Sequence, residues 1–390
     1  MHEKAMARKL RLMIPGPTPV PPAVQEAMSR PIMGHRSKEF ARISEGLYHK
    51  LQQVLQTENQ VFILTSSGTG GMEAAVANTI NPGDKVLVLV TGKFGERWRD
   101  LARIYGADVI EMNFGWGNPV DVDAVKARLD AEPGICAVLA THNETSTGVV
   151  NDIAALGAML RKRDALLVVD AVSSLGGIEI RTDAWGVDIL VTASQKALML
   201  PPGLAVISVS PRAWERIDAC RAPRYYFDLP AARKALAKWN TAYTPAVSLF
   251  YGLDAALDLI LAEGLRRVFA RHKRLAAATR AAVKALGLQL LPPEAAASPV
   301  VTAVRAPRGD DADELRKVLA DRFGIYFAGG QGELKGRIFR IAHMGYVDEA
   351  DILCAIAALE VALATLGFDV ALGSGTAAAQ RVFLETGGEG

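Results

Sequence analysis

Ala165-Leu-Leu-Val-Val-Asp170, followed by Val187-Asp-Ile-Leu-Val-Thr-Ala-Ser194-Gln195-Lys196, is the stretch that decides the fold. Each segment is a short apolar run that ends abruptly in polar residues. Runs of this length and composition read as strands buried on both faces. Similar runs occur at residues 60–65, 85–90, 108–112, 137–141 and 205–209, beside 165–170 and 189–192. Helical patterns lie between many of them, as at 122–130 and 153–163. Such alternation predicts right-handed crossovers and an α/β fold: a mostly parallel seven-stranded sheet covered on both faces.

Beyond residue 245 the pattern changes. A long helical region is expected from about 248 to 286, a strand at 299–304, and helices at 311–323 and 349–366 with a short strand at 338–341. This describes a smaller α+β C-terminal domain. The expected division is an N-terminal arm at 1–16, a large domain at 17–256 and a small domain at 257–390. Residues 13–22 must be extended, because Pro15, Pro17, Pro19, Pro21 and Pro22 leave no room for a helix. Residues 1–12 read as a polar arm, and about the last twelve residues as a frayed end.

Composition narrows the function. The chain has 390 residues, is 50% hydrophobic and 22% charged, and carries a net charge of +2. Wholesale disorder is excluded, and the basic excess of a dedicated nucleic-acid binder is missing. No run reaches the roughly 18 apolar residues of a membrane span. The basic start, residues 1–12, lacks the apolar block of a secretory signal. Cys136, Cys220 and Cys354 are odd in number and far apart. Neither a disulfide framework nor a metal site is expected, and a cytoplasmic location fits.

In a parallel sheet, ligands bind beyond the carboxyl ends of the strands. The run 60–65 is followed by Ser66-Ser67-Gly68-Thr69-Gly70-Gly71 and a helix. Hydroxyls and small residues at such a turn can cradle a phosphate, whose charge the helix start favours. The bland alternative is a capped Gly-rich turn. The loop matches neither GxGxxG nor GxxxxGK[ST]. Asp170 closes a wholly apolar strand. It could bind the magnesium of an NTPase, pair with a protonated pyridine nitrogen, or merely cap a helix; without a P-loop lysine the first reading loses most of its weight. Lys196 closes the next strand. A solvated surface cation is the ordinary fate of a lysine, but against apolar walls its amine is partly neutral and can form a Schiff base. Phosphate cradle, acid for a ring nitrogen and amine for an aldehyde together describe pyridoxal 5'-phosphate.

These residues, with Ile14-Pro-Gly-Pro-Thr-Pro19, Met33-Gly-His-Arg-Ser-Lys38, Thr141-His-Asn-Glu-Thr-Ser-Thr-Gly148, Val169-Asp-Ala-Val-Ser-Ser174 and Pro201-Pro-Gly203, carry a family resemblance. The chain resembles the class V aminotransferases of fold-type I, near the alanine–glyoxylate and serine–pyruvate group, over nearly its whole length. The resemblance implies that Lys196 holds the cofactor and shuttles the substrate proton, and that Asp170 pairs with the pyridinium. It implies that Ser67, Gly68, Thr69 and Gln195 hold the phosphate, that Thr145 lies near the phenolic oxygen, and that Phe94 stacks on the ring. Arg340 would grip the substrate carboxylate and Gly16 would approach it, with His35 and Arg36 in a substrate-facing loop. Tyr243 and Thr244 would reach the phosphate of a neighbouring subunit, which implies a homodimer with shared active sites. His142 reads as structural.

The implied reaction moves the amino group of alanine or serine to glyoxylate or pyruvate in a ping-pong sequence. Three alternatives stand beside it. Pyridoxamine–pyruvate transaminase shares the C-terminal motifs, but its vitamer carries no phosphate for the cradle. A lyase or cysteine desulfurase would share the fold; a desulfurase needs a cysteine on a mobile loop, whereas Cys354 lies in a helical pattern. A non-enzymatic binding subunit would have little use for Lys196, Asp170 and Arg340 together.

Overall fold

The computed structural model describes residues 9–386. Its strands are β1 (Arg11–Met13), β2 (Gln60–Thr65), β3 (Lys85–Val90), β4 (Asp108–Asn113), β5 (Ile135–Thr141), β6 (Asn143–Glu144), β7 (Val149–Val150), β8 (Leu166–Asp170), β9 (Ile189–Ala193), β10 (Leu204–Val209), β11 (Val301–Arg305), β12 (Ile325–Gly329) and β13 (Ile338–Ala342). Seven form one sheet in the order β2-β10-β9-β8-β5-β3-β4. All neighbours are parallel except β10, which runs antiparallel to both β2 and β9. The expected mostly parallel sheet is therefore present.

Both faces of this sheet are covered, which is why its strands read as unbroken apolar runs. One face packs on the helices Lys38–Leu55, Ile153–Leu160 and Val247–Glu263, with Phe40, Leu47, Leu51, Phe250 and Leu253 fully buried. The other packs on Gly68–Thr79, Lys93–Ile104 and Pro211–Ala219, around Trp98 and Phe62. The helix Lys38–Leu55 starts where Ser37 accepts a hydrogen bond from the Phe40 amide.

The smaller sheet has the order β1-β12-β13-β11 and packs on the helices Leu265–Ala285, Glu349–Thr365 and Ser374–Thr386. Several details differ from the sequence expectations. Residues 11–13 do not belong to a free arm: they pair in parallel with residues 325–327 of β12, a strand the sequence reading misses. The arm's residues 1–8 lie outside the described residues. The long helical region is two helices divided at Gly264, whose φ of +84° suits glycine and ends the first helix. The large core continues past 256 to Ile260 and Val268. The tail does not fray at 379: the helix Ser374–Thr386 buries Ala379 and Phe383 against the small core. The expected strand at 299–304 starts two residues later, at Val301.

Candidate active site

The carboxyl ends of β5, β8 and β9 lie side by side, with that of β2 beyond the antiparallel β10, and the residues that follow them gather at one edge of the sheet. The first wall is the start of the helix Gly68–Thr79. Ser67 is extended at its N-cap, and the first intrahelical amides, those of Gly70 and Gly71, bond to the Ser67 carbonyl. The amides of Gly68 and Thr69 precede those bonds, as at every helix start, and are the groups an anion would meet. The glycines do different work. A Cβ on Gly71 would lie 2.7 Å from Val191 Cγ1 and 3.1 Å from Ala205 Cβ, so Gly71 lets the helix sit close on the sheet.

Asp170, at the end of β8, is 3% exposed. It accepts a hydrogen bond from the Val172 amide at 2.8 Å and has no cation within ion-pair distance among the described residues. Burial pushes its carboxyl up to about 7. Lys196, in the turn after β9, is 9% exposed. Its amine donates to the Pro15 carbonyl, and burial, reinforced by the Arg340 charge, lowers it to about 8. Thr18 Oγ1 donates to the Lys196 carbonyl at 2.8 Å. Gly16 packs on the lysine stem: a Cβ there would lie 2.8 Å from Lys196 Cδ, and its φ of +103° requires glycine. The structure thus sets Gly16 against the lysine. Gln195 Oε1 is buried beside it with no hydrogen-bond partner.

The opposite wall is the β6–β7 hairpin loop after β5. Thr145 Oγ1 donates to Ser173 Oγ at 2.6 Å, and Ser173 in turn donates to the Asn143 carbonyl at 2.9 Å. Arg340, on β13, is 5% exposed. It donates to the Thr145 carbonyl at 2.8 Å and, through Nε and Nη2, to the Gly329 carbonyl at 3.0 and 2.7 Å. Burial lowers it to about 10. No carboxylate opposes it within ion-pair distance among the described residues.

Three contributors escape the sequence reading. Glu144 is fully buried; its Oε2 accepts from the Phe94 and Gly95 amides at 3.0 and 3.1 Å, and its Oε1 from the Ser146 amide and hydroxyl. It caps the helix Lys93–Ile104 and so positions Phe94. Ser173 positions Thr145. Arg97 donates to Thr69 Oγ1 at 3.0 Å and lies over the Phe94 ring, 4.7 Å from its centroid. Glu144 and Ser173 stand inside motifs that the sequence already marks, but the contacts that give them a task cross between strands.

Tyr243 and Thr244 stand apart. They line a cleft with Thr65 and Tyr226, where the Tyr243 hydroxyl donates to the Tyr225 carbonyl at 2.8 Å and Thr244 is exposed. Arg36 holds this loop through Asn240 Oδ1 at 2.9 Å and the Thr241 carbonyl at 2.8 Å. His35 is half-buried and shares none of these bonds among the described residues. His142 packs edge-on against Trp185, and burial holds it at about 4, a neutral structural residue.

A carboxylate without a cation, an amine kept partly neutral, free helix-start amides and an orphaned amide oxygen fit a phosphorylated pyridine aldehyde. Comparisons agree. The family model described as "Aminotransferase class-V" matches residues 13–336. A "Soluble hydrogenase, small subunit" of Synechococcus sp. (strain PCC 6716) is 47% identical over 98% of this chain and 99% of that protein. The "L-aspartate--glyoxylate aminotransferase" of Paracoccus denitrificans is 44% identical over 96% of each, and the "Serine--glyoxylate aminotransferase" of Hyphomicrobium methylovorum 41% identical over 95% and 94%. Among solved structures, ureidoglycine–glyoxylate aminotransferase from Bacillus subtilis superposes with a TM-score of 0.93 at 32% identity over 98% of this chain and all of that one. Pyridoxamine–pyruvate aminotransferase from Mesorhizobium loti gives 0.93 at 35% identity over 97% and 98%. The chain belongs to the class V aminotransferases, fold-type I enzymes whose cofactor is pyridoxal 5'-phosphate.

Proposed function

We propose that this aminotransferase moves the amino group of a small L-amino acid, alanine or serine, to glyoxylate or pyruvate. The observation that carries the reading is the enclosure of Lys196, Asp170 and Arg340 in one pocket, each buried and none paired with an opposite charge. The bound cofactor supplies an electron sink for the pair left when the substrate Cα loses its proton. The chain does the rest. Arg340 binds the substrate carboxylate through a planar fork and fixes the Cα–H bond toward the lysine. Lys196 Nζ, neutral in a substantial fraction near pH 8, would take that proton and hold it for return two bonds away, across the transferred nitrogen. Asp170 keeps the ring nitrogen protonated. Phe94 covers the ring and excludes water, while residues 67–69 and Gln195 hold the phosphate and Thr145 faces the phenolic oxygen.

Glyoxylate as acceptor draws support from the names of the aspartate-, serine- and ureidoglycine-specific relatives. The donor draws support from the pocket: Arg340 accounts for one carboxylate, and Arg316, the arginine whose charge lowers it, is already bound to the Phe327 carbonyl and to Asp313. A second reading, aspartate as donor, is favoured by the Paracoccus relative. A third, a subunit role without turnover, is favoured by the hydrogenase-named relative. Half-buried Tyr243 and exposed Thr244, which line a separate cleft, support a homodimer in which each reaches the partner's phosphate. A cytoplasmic location is proposed from the three unpaired cysteines.

The test is an absorption titration of the purified protein with L-alanine, L-serine, L-aspartate and pyridoxamine in separate cells. The cofactor band should convert with alanine or serine and return on adding glyoxylate or pyruvate. Conversion by aspartate or pyridoxamine alone replaces the donor assignment. A band that no amine converts, or no band after adding the cofactor, overturns the enzymatic reading.

A further inference from the structure

Arg97 takes no part in the chemistry just described. It lies three residues after Phe94, so both side chains leave the same face of the helix Lys93–Ile104. Its guanidinium donates to Thr69 Oγ1 at 3.0 Å, in the first turn of the helix Gly68–Thr79, and rests on the Phe94 ring. It is half-buried and has no carboxylate within ion-pair distance among the described residues. Its neighbours Arg99 and Arg103 differ: both pair with Glu111. Its charge also depresses both the Asp170 carboxyl and the Lys196 amine, so it acts inside the pocket and not on the outer surface.

A half-buried cation at the start of a helix is disfavoured, because the amides there already present positive charge. The arrangement becomes favourable when an anion fills the space between them. We propose that Arg97 binds the phosphate monoester of the cofactor and thereby sets the preference for phosphorylated over unphosphorylated vitamers. This rests on the reading of residues 67–69 as the phosphate cradle. One N–H of the guanidinium is engaged by Thr69, leaving others for phosphoryl oxygens. Stacking on Phe94 fixes the guanidinium plane, so the ring that covers the cofactor also aims the cation at its phosphate. Pyridoxal and pyridoxamine offer Arg97 nothing to bind.

The experiment measures dissociation constants of pyridoxal 5'-phosphate and of pyridoxal on the cofactor-free protein and on Arg97→Gln. The substitution should weaken the phosphorylated vitamer about 10- to 100-fold and leave pyridoxal within about twofold. Equal weakening of both, or none for the phosphorylated form, overturns the proposal. A second measurement needs no variant. Phenylglyoxal labelling of Arg97 in the unaltered cofactor-free protein, read by peptide mass spectrometry, should slow when inorganic phosphate is added. Equal labelling with and without phosphate overturns the proposal. In the loaded protein phosphate should change nothing further; protection there would give Arg97 to a phosphorylated substrate instead and equally overturn it. Failure of the underlying reading looks different: the unaltered protein would not bind the cofactor, or Lys196→Ala would bind it with an unchanged absorption band.

Discussion

Burial moves Asp170 and Lys196 toward each other, the acid up to about 7 and the amine down to about 8. Removing the amine removes both the covalent anchor and the proton carrier, so Lys196→Ala should lower turnover by at least about 10³-fold. Steady-state rates with alanine and glyoxylate check this, and near-normal turnover would sink the lysine's assignment. The acid has a consequence for stability. Between pH 3.8 and about 7, the folded cofactor-free protein keeps a proton on Asp170 that the unfolded chain has released. Its contribution to stability is therefore present at low pH and is lost as pH rises through that window. Asparagine has no proton to lose. The stability of Asp170→Asn relative to the unaltered cofactor-free protein should rise by up to about 4 kcal/mol between about pH 4 and about pH 8. Urea unfolding across that range measures it; a constant difference rejects it. His272 and His343, both held neutral at about 3 by burial, work the other way and lose stability as acid is added below 6.5, but they are common to both proteins and cancel. Asp170 and Lys196 are legible in the sequence because each follows the end of an apolar strand, and Arg340 through the family resemblance of the motif around it. Arg97, Glu144 and Ser173 are not. Their tasks come from contacts with residues 28, 50 and 28 positions away, which no local pattern encodes.

Elements show the same division between local and distant information. The strands of the large sheet are legible because burial on both faces demands continuous Val, Ile and Leu. β1 is three residues long and earns its identity only by pairing with β12, more than three hundred positions on. Gly264 looks tolerable inside a helical pattern, yet its positive φ splits the run. At Gly71 the sequence shows a glycine in a loop motif, while the structure shows a helix seated on a sheet. Gly71→Ala should cost about 1–3 kcal/mol, since its Cβ meets Val191 and Ala205 at contact distances that require the helix to shift. Denaturant unfolding checks the cost, and a variant as stable as its parent would show that the helix has slack.

The described residues present two large sheets, each with its own helices, and a loop on which Thr244 is exposed. If paired subunits share their sites, two defects in different subunits can leave one site intact. Lys196→Ala and Thr244→Glu, each inactive alone, should recover on the order of a quarter of full activity when unfolded together and refolded as a mixture. Recovery of nothing, from a mixture that sedimentation shows to be dimeric, would confine each site to one chain.

One thread ties these scales together. Residues 11–13 are stitched into the small sheet, Pro15 receives the Lys196 amine, Gly16 lies on the lysine stem and Thr18 bonds to its carbonyl. The small sheet therefore cannot slide without tugging this thread across the lysine. The amine becomes a gauge: its titration should register the posture of the small sheet, through this thread as well as through the charge of Arg340.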